Sequence, residues 1–81
     1  MKIIDTSNAI TVEVTLTHPD IAPQFNTYLI DFENDMKMDT EKIIQEFKNR
    51  FKNSYYHEME IVVIYVFDNE TYRQTIYNGV I

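Results

Sequence analysis

The chain has 81 residues, 44% hydrophobic and 14% aromatic, with one Gly and two Pro. That composition suits a single packed domain over residues 1–81 and excludes a disordered tail or a two-domain protein. Thirteen Asp and Glu against 7 Lys and Arg give a net charge of -6, which argues against direct nucleic-acid binding, and the absence of Cys excludes disulfides, thiolate metal sites and Cys nucleophiles.

At the N-terminus Asp5 interrupts the apolar residues before a signal-peptide core forms, and no apolar run approaches the ~20 residues of a membrane span. The expectation is a cytoplasmic, soluble protein with no membrane contact. Residues 5–8 form a turn-prone cluster, leaving Lys2 to Ile4 as an arm or a short extra strand.

Residues 10–17 alternate strictly, with Ile10, Val12, Val14 and Leu16 on one face and Thr11, Glu13, Thr15 and Thr17 on the other. That period of two predicts a strand with one buried face. Residues 18–24 hold Pro19 and Pro23 and read as a long loop. Residues 25–32 alternate again, with Tyr28, Ile30 and Phe32 together, and predict a second strand forming a hairpin with the first; a helix starting at Ile21 is the competing reading.

Helix signals begin at Asp39, an N-cap residue followed by Glu41 in the first turn, with Met38 placed to staple onto Ile43. The predicted helix runs to about residue 53. Ile43, Ile44, Phe47 and Phe51 form its apolar stripe, and Lys48 to Lys52 suit its negative C-terminal end. Of the adjacent Tyr55 and Tyr56, one is expected to cap the core and the other to be exposed.

Glu58–Phe67 is apolar at nearly every position beyond its two glutamates, the pattern of a strand covered on both faces. After an Asp68-Asn69-Glu70 turn, residues 71–81 predict a last strand with Tyr72, Ile76 and Val80 on one face and Arg73, Thr75 and Tyr77 on the other. The expected fold class is α+β, in the order β-β-α-β-β: a four-stranded, mainly antiparallel sheet with one helix packed on one face. The most apolar strand belongs in the middle, giving strand order 2-1-3-4; the alternative is the β-grasp order 2-1-4-3, opposed by the polar last strand. One helix covers one face only, so either Ile61, Val63, Tyr65 and Phe67 or Val62, Ile64 and Val66 line an open face.

No stretch carries a catalytic signature, and the chain is expected not to be an enzyme and to need no cofactor. Asp31, Glu33, Asp35 and Asp39 alternate as in a calcium loop, but Met36 stands where that loop needs Gly and Lys42 where it needs a bidentate Glu, so no metal is expected. His18-Pro19-Asp20 is the tripeptide of J-domain co-chaperones, but here it follows a strand in a chain with one helix, and the resemblance ends at three residues. His18 and His57 lie at the ends of separate elements and read as solvated histidines.

The charge points instead to a protein partner with a basic surface. The expected function is a small acidic protein-binding module, an inhibitor occupying the nucleic-acid-binding surface of a protein such as a nuclease. It would act as a DNA mimic, in the manner of a phage or mobile-element anti-defence or anti-CRISPR protein. The expected contact residues are Asp31, Glu33, Asp35, Asp39, Glu58, Glu60, Tyr65 and Tyr77. The alternative is an accessory subunit that homodimerises through the apolar sheet face or an edge. An RNA-binding platform of Tyr65, Phe67 and Tyr77 is a weaker reading, opposed by the charge.

Overall fold

The computed structural model of the chain describes residues 9–31 and 39–81. The expected arm over Lys2 to Ile4, the Met38 staple, and Phe32, Glu33 and Asp35 lie outside the described residues. The elements are β1 (Ala9–His18), β2 (Ile21–Asp31), α1 (Thr40–Phe51), β3 (Glu58–Phe67) and β4 (Glu70–Val80). They form one antiparallel sheet in the order β2-β1-β3-β4, so the fold is α+β and the β-grasp order is excluded.

The alternation of β1 decides where the core lies. Val12, Val14 and Leu16 are fully buried and pair with Val63, Ile61 and Met59 of β3, which are buried with them. Ile43, Ile44 and Phe47 of α1 close over this patch, and each fully buried side chain of this size contributes about 1.5–3 kcal/mol. Phe47 is anchored further by the Tyr28 ring at 4.9 Å. Asp39 caps the helix as its residue type predicts, accepting the Lys42 N–H at 3.2 Å. The helix stops at Phe51, two residues short of the expected end, where Ser54 N–H donates to the Phe51 carbonyl at 3.0 Å. Tyr55 is exposed, while Tyr56 is half-buried against the core with its hydroxyl donating to the Ala22 carbonyl, the expected division of labour.

Two expectations need correction. Residues 18–24 are not a long loop: β1 and β2 are joined by Pro19 and Asp20 alone, and β2 runs through Pro23. Pro23 is tolerated because β2 is an edge strand, with one side free of ladder bonds. The competing helix from Ile21 is excluded by the same strand. Tyr77, in turn, does not share a face with Arg73 and Thr75. Thr75 pairs with Val62 and Tyr77 with Ile61, so Ile76 is an extra residue in β4 that shifts the alternation. Beyond that bulge Tyr77 lies on the helix side, with Lys48 Nζ 4.5 Å from its ring centroid, and Val80 moves to the opposite face.

Asp68 and Asn69 both have positive φ, 51° and 63°, the conformation of the tight turn whose twist matches a β-hairpin. Among the described residues, no helix is long and apolar enough to cross a membrane.

Candidate functional site

The sheet has one face under α1 and one open face, and register settles which side chains lie on the open one. Because Met59, Ile61 and Val63 are buried under the helix, the alternate set Val62, Ile64 and Val66 belongs to the open side. Leu29, Thr11, Ile64 and Arg73 form one row across all four strands. Thr27, Glu13, Val62 and Thr75 form the next, followed by Phe25, Thr15, Glu60 and Asn78. Phe25 is 74% exposed and Leu29 69%. These are two large apolar side chains on one face of one strand, two rows apart with Thr27 between them, both far out in water.

Glu13 and Arg73 form an ion pair of 2.9 Å although they sit on β1 and β4, so the bridge crosses β3 between Val62 and Ile64. Both side chains are well exposed, which limits the pair to about 0–1 kcal/mol. With Glu13 paired, Glu58 and Glu60 put negative charge at one end of this face. The helix has the opposite sign: Lys42, Lys48 and Arg50 against Glu41 and Glu46, a sum of +1 that the two caps, Asp39 and Lys52, leave unchanged. Arg50 and Lys48 rest over Tyr28, Phe47 and Tyr77, so the basic layer is held against aromatic rings on the far side of the sheet.

Of the expected contact residues, the structure brings only Glu58 and Glu60 together on the open face. Asp31 ends β2 opposite Ala9. Asp39 is engaged as the helix cap. Tyr65 lies on the helix side, its ring 5.5 Å from that of Tyr72 in a stacked arrangement, and Tyr77 is on that side too. The Tyr72 hydroxyl donates to Glu70 at 3.0 Å; that bond, reinforced by desolvation and by Tyr65, raises its ionisation above the ordinary phenol value. Phe25 and Leu29, the most exposed apolar residues of the face, were not singled out as contacts by the sequence pattern. Their signal was available: both fall out of phase with Tyr28 and Ile30 in a strand whose other face packs on the core.

The two histidines are not remote from one another. An antiparallel β1–β3 pair brings the end of β1 to the start of β3, so the His18 and His57 ring centroids stand 4.3 Å apart at an interplanar angle of 58°. His57 N–H donates to the Thr17 carbonyl, and His18 Nδ1 accepts the Asp20 N–H at 3.0 Å. Thr17, Pro19 and Glu58 complete a depression of about 310 Å³ around the pair. Among the described residues no group of three or more His, Cys, Asp or Glu is placed to hold a metal. No family model, no curated protein and no solved structure matches this chain.

Proposed function

We propose that this chain is a protein-binding module without catalytic chemistry, and that it docks through the open face of its sheet. The observation that carries the reading is the exposure of Phe25 and Leu29 on the same face as Val62 and Ile64, with the glutamates Glu58 and Glu60 at one end of that face. A standard interface takes about 800 Å² from each partner, roughly an eighth of this protein's 6200 Å², which one face of a four-stranded sheet can supply. The partner chemistry follows from charge. With a net -6 and the free carboxylates at one end of the face, the complementary surface is apolar at its centre and basic at its margin. Basic surfaces of that kind are what nucleic-acid-binding proteins present, so the specific form of the proposal is an inhibitor that occupies such a surface in place of DNA, as an anti-defence or anti-CRISPR protein of a phage or mobile element would.

The test is capture of candidate nucleases by the immobilised chain, with Leu29→Glu and the double variant Glu58→Lys, Glu60→Lys in parallel. Capture is expected to fall for both variants and to weaken with salt for the wild type. Capture that survives Leu29→Glu removes the open face as the docking surface, and capture indifferent to salt and to the lysine variant removes the basic partner. A second reading, a homodimer through the same face, draws on the same exposed residues; a concentration-independent monomer mass in sedimentation excludes it.

A further inference from the structure

We infer that His18 and His57 form a two-ligand site for a divalent transition cation, of the Zn²⁺, Ni²⁺ or Cu²⁺ class, at the end of the sheet away from the Asp68-Asn69 turn. This inference does not depend on the docking role of the open face. Imidazole is the side chain these cations prefer, and two imidazoles held by neighbouring strands chelate where one alone binds weakly. Here the backbone does the holding: His18 ends β1, and His57 is fixed just before β3 by its N–H to the Thr17 carbonyl and its carbonyl to the Ile81 N–H. The rings approach to 4.3 Å over a depression open to solvent that Glu58, next to His57 in the chain, also lines, which adds favourable charge. Two protein donors leave the other coordination positions to water, so the site binds an exchangeable ion rather than a structural one.

One detail gives the site a signature. His18 Nδ1 accepts the Asp20 N–H, so the neutral ring carries its proton on Nε2. A cation bound at Nδ1 uses the lone pair that serves Asp20, and a cation bound at Nε2 moves the ring proton to Nδ1, which then cannot accept. By either route Asp20 N–H loses its acceptor. Metal binding is thereby coupled to the β1–β2 turn.

The experiment titrates Zn²⁺ alone into the full chain in chelator-free buffer, followed by calorimetry and by amide NMR. One equivalent is expected to bind, about tenfold or more tighter than in His57→Gln, with the Asp20 amide among the most strongly shifted and exchanging faster with solvent. His57→Gln leaves the Asp20 bond to His18 intact, so its amide spectrum shows whether the fold is kept; His18→Gln is the second arm and is expected to lose affinity to the same degree. Equal affinity in wild type and His57→Gln, or an Asp20 amide unmoved at saturation, overturns the assignment.

Discussion

Leu16 and Leu29 offer a controlled comparison, because they are the same residue type on the two strands of one hairpin and on opposite faces of the sheet. Leu16 has 0% of its surface exposed and Leu29 has 69%. Leu16→Ala removes three buried heavy atoms from a closed core and is expected to cost about 2–5 kcal/mol. Leu29 keeps under a third of its surface covered, so Leu29→Ala gives up about a third of a full leucine burial, roughly 0.5 kcal/mol. At about 0.05–0.15 kcal/mol per residue, a domain of 81 residues has roughly 4–12 kcal/mol to lose, so the first variant removes a large share of its stability and the second almost none. With a urea slope near ~1 kcal/mol/M, the midpoints should fall by about 2–5 M and about 0.5 M respectively. Urea melts followed by circular dichroism at two protein concentrations measure both. If Leu29→Ala costs as much as Leu16→Ala at both concentrations, the open face is covered by the chain itself and the docking proposal fails; if its cost grows with protein concentration, a second copy is the cover.

Asp39→Ala removes the acceptor for Lys42 N–H at the helix start and should lower stability by about 1 kcal/mol in the same melts, with Asp39→Asn close to wild type. Asn69→Gly should raise stability by about 0.5 kcal/mol, because φ of 63° is held at a cost by a side chain and at none by glycine, whereas Asn69→Val should lower it. Tyr72 keeps its proton above the ordinary value of 10.0, chiefly through its bond to Glu70. A raised folded value is a contribution present below pH 10.0 and lost as the pH rises through the folded value, so stability declines on the alkaline side and Tyr72→Phe makes that decline shallower. Ultraviolet titration of the tyrosines reads the same effect directly: Glu70→Gln should bring one late-ionising tyrosine back toward the others.

The parts of the fold that were legible in the sequence are those where one residue type has one physical use. Ile10, Val12, Val14 and Leu16 alternate because a single face of β1 is buried, and Asp39 before Thr40 and Glu41 reads as a cap because few other residues satisfy the first helical N–H groups. The failures fall where a residue has two uses. Pro23 signals a loop in a central position but is harmless on an edge strand; both expected strand orders put the second strand at an edge, so the proline did not require the loop that was read from it. Ile76 continues the apolar count of β4, yet it is the extra residue of a bulge, and one inserted residue reverses every later side chain, Tyr77 and Val80 included. The histidine pair was missed for a related reason: 38 positions separate His18 from His57 in the chain, and only the antiparallel register of β1 with β3 makes them neighbours.

The face of β3 left over by the helix shows how the open side is managed. Nearly every position of β3 past Glu60 is apolar, so alternation carries no information there, and the assignment of Val62, Ile64 and Val66 to the open face comes from β1 alone. Had those residues been the exposed patch, the docking surface would be centred on β3. Instead Val62 and Ile64 are half-buried, and the Glu13–Arg73 bridge passes between them from one neighbouring strand to the other. Long charged side chains laid over apolar residues shield them by their aliphatic stems as well as by their charge. Nothing comparable crosses β2 among the described residues, and there Phe25 and Leu29 stand out in water. The exposed apolar side chains of the open face therefore lie away from its centre, Val80 on β4 and Val66 near the end of β3 as well as Phe25 and Leu29 on β2, and the β2 edge carries the two most exposed. A partner seated there meets aromatic and aliphatic side chains first, the bridged pair next, and the carboxylates of Glu58 and Glu60 at one end of the same face.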